Sequence, residues 1–304
     1  SPYYQGKYIG KDSRVIMYRG GTSLASPQGL YADFEEFGAL PHYKLTALDI
    51  MDIIETRYEK WKSYIKGLGL NIKVLSLYGY ILYTNWSPIR ISAHGTIEQR
   101  GMDINHPHCI AGIGVMIRFM LKKLQDEYYA IVPSEIGIRA PFKIEKDIIY
   151  IPPFQYVRDV LQKLSAYRGL EDDVVYNYCK NFIRLAQLTV ERDMLKLIKP
   201  FEDMVEKRMT ISDEILAFAK KKGFKNRKEP ITNELAAEIA LQHSEKLLNE
   251  AEKTKKLIKG LIVEDSNVKP PKIHNLLKLC SLALIKEIKI DIKDTLNLLN
   301  NFFI

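Results

Sequence analysis

The pattern of apolar and polar positions changes character near the middle of the chain. In the first half, short runs rich in Ile, Val, Leu and Tyr predict strands over Arg14–Tyr18, Leu30–Phe37, Ile72–Tyr83, Ile89–Ala93, Tyr128–Val132 and Ile148–Ile151. Apolar residues at helical spacing predict helices over Ala47–Ile65, closed by Gly67, and over Cys109–Leu124. Strand, helix, strand, strand, helix, strand reads as an α/β (α+β) unit with helices packed on a sheet.

After Pro152-Pro153 no alternating run returns. Helices are expected over Tyr156–Tyr167, Asp172–Ile198, Phe201–Arg208, Asp213–Lys222, Asn233–Lys259, Ile273–Lys286 and Ile292–Phe302. Asp172-Asp173 marks a helix start, Ser212 is the expected cap of Asp213–Lys222, and Gly223 its end. Pro200, Pro230 and Pro270-Pro271 mark breaks. The second half therefore reads as an all-α helical bundle, giving domains 1–168 and 169–304 with the boundary placed between 153 and 200.

A chain of 304 residues that is 46% hydrophobic can build a real core. No apolar run reaches the length of a membrane span and no signal peptide shows, so no membrane partner is expected. Ser1-Pro2 at the start suggests that flanking segments, such as further replication domains, are missing. Cys109, Cys179 and Cys280 are too far apart for a disulfide framework or a four-cysteine metal site, which fits a reducing, cytoplasmic setting. The net charge of +8 favours a polyanionic partner.

Candidate chemistry begins at Asp33 and Glu35. On a strand, two residues at this spacing leave one face together, where two carboxylates repel unless a hard divalent cation joins them. Ser92 and His94 end a strand at a turn that Gly95 allows, and together can donate to phosphate oxygens. A third segment runs from Asp126-Glu127 through a strand to Arg139-Ala-Pro-Phe142, Lys143 and a last strand ending at Pro152-Pro153.

In order and spacing, these pieces resemble the catalytic subunit of the archaeo-eukaryotic primases and primase-polymerases over roughly residues 10–155. Asp33-Phe-Glu35 looks like that family's Asp-x-Asp/Glu strand. Ser92-Ala-His94 looks like its Ser-x-His strand, and Glu127 with Arg139-Ala-Pro-Phe142 like its third acid and basic turn. The resemblance implies template-dependent nucleotidyl transfer on single-stranded DNA from nucleoside triphosphates. Asp33, Glu35 and Glu127 would then hold two Mg²⁺ or Mn²⁺ ions, with Asp126 an alternative to Glu127. Ser92, His94, Arg139 and Lys143 would hold the triphosphate. The sequence departs from the family in its Glu at the third acid, in the extra strand over Ile72–Tyr83 and in lacking zinc-binding cysteines. These departures suggest a divergent archaeal member from a plasmid or virus, and a helical bundle after the catalytic domain is known in plasmid-type members of the family. The rival reading is a non-catalytic nucleic-acid-binding subunit of a replication or defence complex.

Three further signals are weighed. His106-Pro-His108-Cys109 gathers metal-ligand types, but with no fourth partner in the sequence it reads as a polar helix cap. Lys220, Lys221, Lys222, Lys225, Arg227 and Lys228 form a basic loop that tracks phosphates if the protein binds a template, and is otherwise a solvated helix end. Tyr128-Tyr129 reads as buried in the sheet rather than as a base-stacking pair.

Overall fold

A computed structural model describes residues 1–18, 32–77, 81–84, 87–92, 94, 96–101, 105–224 and 227–262. Expectations at Leu30, Tyr31, Ala93, Gly95, Lys225 and Cys280, and the helices over Ile273–Lys286 and Ile292–Phe302, lie outside the described residues. The chain divides into two compact units. Among the described residues, one takes Ser1–Leu40 and residues 101–262, and the other takes Pro41–Arg100. The expected boundary near 168 falls inside the first of these.

In the first unit a hairpin of β1 (Tyr3–Tyr4) and β2 (Lys7–Tyr8) leads to α1 (Ser13–Tyr18). The strand expected over Arg14–Tyr18 is helical instead. The Asp12 carboxylate accepts from the Val15 N–H at 3.0 Å, which caps the turn, and Ile16 is buried on one side. Residues 32–38 are also helical, a 3-10 turn at Ala32–Phe34 followed by α2 (Glu35–Gly38).

The second unit holds α3 (Ala47–Gly67), α4 (Val74–Leu77) and the antiparallel pair β3 (Ile89–Ile91) and β4 (Ile97–Gln99). Thr46 and Asp49 form a capping box at the start of α3, and Ile54, Ile65 and Leu75 are buried. The long strand expected over Ile72–Tyr83 is absent among the described residues. The Asn71 side chain accepts from the Lys73 N–H at 2.9 Å and turns the chain into α4, with a 3-10 turn at Ile81–Thr84 beyond it.

The first unit resumes with α5 (Pro107–Asp126), β5 (Ala130–Pro133), α6 (Glu135–Arg139), β6 (Ile144–Glu145) and β7 (Ile148–Ile151). β7 is the middle strand, parallel to β5 with Ala130 opposite Ile148 and antiparallel to β6 with Ile144 opposite Ile149. Then comes α7 (Phe154–Tyr156), continued through a π-helical stretch at Val157–Leu161 into α8 (Gln162–Arg168). α9 (Asp173–Thr189) starts where the Asp172 carboxylate accepts from the Val174 N–H at 3.0 Å.

The single helix expected over Asp172–Ile198 breaks at Val190, which is extended. α10 (Leu195–Lys207) then runs through Pro200, where a break was expected. Burial of Leu197 and Ile198 outweighs the hydrogen bond that the proline removes. α11 (Ile211–Lys221) is capped by Thr210 rather than Ser212. The Thr210 N–H and hydroxyl both donate to Asp213, while the Ser212 hydroxyl donates to the Lys11 carbonyl at 2.6 Å. α12 (Asn233–Ile262) completes the described chain.

The architecture is mixed α+β and mostly helical, with small sheets. One apolar core joins α5 and β7 to α9 and α10 through Met116, Phe119, Met120, Ile149, Ile183, Ala186 and Ile198. No described helix is long and apolar enough to cross a membrane.

Lys11 ties the start of the chain to this body. Its ammonium is buried, donating to Glu171 at 2.7 Å and to Asp213. Burial alone would raise the Asp213 pKa, but the hydrogen bonds from Lys11 and Thr210 outweigh it and hold the carboxyl below its ordinary value. Burial would likewise lower Lys11, and Asp213 and Glu171 outweigh it upward. A depressed carboxyl stabilises the fold above its unfolded pKa and loses that as pH falls through its folded value. A raised lysine loses its contribution only as pH rises above its unfolded value. The pair should thus contribute fully between about pH 4 and about pH 10. Asp213→Asn should cost roughly 3 kcal/mol at pH 7 and shrink the loss of stability between pH 7 and pH 3. Urea unfolding at both pH values checks this.

Candidate functional site

The seven residues of the expected nucleotide and metal site are divided between the two units. Asp33, Glu35, Glu127, Arg139 and Lys143 belong to the first, and Ser92 and His94 to the second.

Asp33 and Glu35 do not share a strand face. The 3-10 and helical turns around them replace the period of two by a period near three, and bring Phe34 and Phe37 together with ring centroids 6.5 Å apart. Phe37 is fully buried, and the acids fall at the helix start, where they complement the backbone dipole. Asp33 is exposed. Glu35 Oε1 receives a hydrogen bond from Arg158 Nη2 at 2.7 Å.

Glu127 follows the last residue of α5 and pairs with Lys123 one turn back. The lysine's hydrogen bond holds its carboxyl below the ordinary value. Asp126 is the exposed last residue of the helix. Among the described residues no group of three or more His, Cys, Asp or Glu side chains is arranged to hold a metal ion, so Asp33, Glu35 and Glu127 are not brought together as a trio.

The third segment is built tightly. Ser134 caps α6 by accepting from the Gly137 N–H at 3.3 Å. Gly137 lies against the backbone of Ile151, where an added Cβ would sit 2.0 Å from the carbonyl carbon. Arg139 ends α6, exposed. Phe142 turns with φ 61°, donates its N–H to Tyr150 at 2.8 Å and packs its ring 5.0 Å from Tyr178 and 5.4 Å from Phe182. Lys143 pairs with Glu145 across the turn.

In the second unit the turn between β3 and β4 is closed by its own groups. The Ser92 and Thr96 hydroxyls lie 2.8 Å apart, and the His94 N–H donates to Ser92 Oγ at 3.2 Å. His94 itself is exposed.

The basic segment sits at the end of α11. Lys220, Lys221, Lys222, Arg227 and Lys228 are all exposed. Lys222 pairs with Glu238 at 2.5 Å and lies over the Phe218 ring. The Arg227 guanidinium lies 4.9 Å above the Tyr8 ring. Tyr128, expected in the sheet, is 88% exposed with φ 53°. It falls in the turn before β5, so the strand begins two residues later than expected.

His106 is not a polar cap. It occupies the N-cap position of α5, followed by Pro107, and its side chain makes no cap hydrogen bond. Instead His243 and Glu250 of α12 come to it and to His108. No sequence signal links residues so far apart, which is why the cluster was missed. Cys109 is buried beside it, and burial pushes its thiol up to about 11.

Comparison of the chain with family models, with curated proteins and with solved structures returns no match.

Glu35 and Asp33 should separate cleanly by mutation. Glu35→Ala should cost about 1 kcal/mol through loss of the partly buried Arg158 pair, and Asp33→Ala less than about 0.5 kcal/mol. Denaturant melts of both variants test this. Two metal-binding acids on one face would instead leave stability unchanged or raised on removal.

Proposed function

We propose that this protein binds single-stranded nucleic acid through the basic end of α11 and its neighbourhood. The observation that carries the reading is the set of exposed cations at Lys220, Lys221, Lys222, Arg227 and Lys228 in a chain of net charge +8. Phosphates attract such a cluster without regard to base sequence. The Tyr8 ring under Arg227 adds an aromatic surface beside these cations. Lys225, within the same run, belongs to the proposed contact by sequence.

A second reading is primase-type nucleotidyl transfer with Mg²⁺ or Mn²⁺. The third segment favours it, because Glu127 stands before β5 while Arg139 and Lys143 are exposed on the turns between β5 and β7. In that reading Glu35 exchanges Arg158 for a metal, and Arg139 and Lys143 hold the triphosphate of an incoming nucleotide.

Fluorescence anisotropy with a labelled oligothymidine should show binding that weakens steeply with salt. Changing Lys220, Lys221, Lys222, Lys225, Arg227 and Lys228 to Gln should weaken it on the order of tenfold or more and flatten the salt slope by about 0.7 per lost phosphate contact. An unchanged slope would reduce the run to a solvated helix end. Incorporation of labelled nucleotide on single-stranded DNA with Mn²⁺, lost in Asp33→Ala, would establish the second reading instead.

A further inference from the structure

His106 and His108 flank Pro107 at the start of α5, while His243 and Glu250 lie seven residues apart, two turns along one face of α12. Glu250 Oε2 is 3.2 Å from His106 Nδ1 and 2.5 Å from His108 Nδ1. The His106 and His108 rings are nearly parallel, 13° apart in tilt and 5.8 Å between centroids, so both imidazoles present the same edge to the carboxylate. On its far side His106 Nε2 meets His243 Nδ1 at 3.4 Å.

His106 is 4% exposed, and two of these atoms, His106 Nδ1 and Glu250 Oε2, are buried without completing a hydrogen bond. Two buried polar atoms this close that complete no hydrogen bond are costly unless a cation joins them. A proton on the imidazole would answer this only with a well-directed N–H···O bond, which the His106 geometry does not make. A metal ion needs no such direction from a shared hydrogen.

We propose that this cluster binds one divalent transition-metal ion of the zinc class, with His106, His108 and Glu250 as ligands. Two imidazoles and one carboxylate are a donor set that such ions take, with a fourth position left for water or a substrate group. His243 then holds the second nitrogen of His106, the role that a ligating histidine requires of a neighbour. As the side chains stand, the Glu250 oxygen lies between the two imidazoles and no three donors close around one point. Glu250 is carried on a long side chain, so its carboxylate can give way to an ion without moving either helix. The neighbouring ammonium, Lys246, is paired with Glu214 at 2.7 Å, which offsets its charge toward the site. An ion held here would tie the start of α5 to α12.

The test uses the full chain, free of any affinity tag and stripped with chelator, titrated with Co²⁺ and then Zn²⁺. The wild type should take up one Co²⁺ with the intense visible absorption of a low-symmetry site, lose that absorption to Zn²⁺, and melt at a higher temperature with Zn²⁺ present. Glu250→Gln and His108→Ala should each weaken binding at least tenfold with an unchanged circular dichroism spectrum. His243→Ala should weaken it about tenfold, and His94→Ala should leave it unchanged. Wild-type protein with no Co²⁺ absorption and no melting shift on Zn²⁺ would overturn the proposal. So would Glu250→Gln and His108→Ala variants that bind as the wild type does.

Discussion

The first unit depends on how closely α5 lies against α10. At Gly112 an added Cβ would stand 2.5 Å from the Leu197 carbonyl oxygen and 3.0 Å from the Phe201 ring. Only glycine permits that approach. It brings Met116 and Met120, one and two turns on, into the same core as Ile198, and lets Ala186 of α9 close that core with no exposure at all. With α5 held there, its first turn meets α12 and its last leads into β5, so the histidine cluster and the Glu127 turn both take their positions from one helix.

How much of this was legible follows from the range of each signal. Helices α3 and α5 and strand β7 were legible because their periodicity is long or cleanly bounded. The strands expected at Arg14–Tyr18 and Leu30–Phe37 failed for a local reason. Short apolar runs fit either period, and polar side chains decided the matter. Asp12 caps one run, and the acids of the other favour a helix start. Pro200 misled in the other direction, because its cost is met by burial that a local reading does not see.

The same distinction governs the candidate chemistry. The basic run at 220–228 is contiguous and was read directly, although its contact with Tyr8 comes from the far end of the chain. The acids were read as a metal pair because only their spacing was visible. Arg158 lies 123 residues from Glu35 and donates to its carboxylate. At His106 the difficulty ran the other way. The residues were seen, but the partners that remove them from the role of a cap sit on α12. In each case the residue type was legible, and the distant side chain that meets it was not.

Gly112 and Gly114 stand two residues apart in α5 and offer the most direct measurement of the central claim. Gly112 is pressed against backbone, whereas a Cβ at Gly114 would meet nothing within 4 Å. Both should respond to alanine in opposite senses. Gly114→Ala should stabilise the protein by up to about 1 kcal/mol through helix propensity alone. Gly112→Ala should destabilise it by roughly 1–3 kcal/mol, because the clash with α10 outweighs that gain. Equilibrium urea unfolding of the two variants beside the wild type decides the matter. Stabilisation of both, to a similar extent, would contradict the close approach on which this account rests.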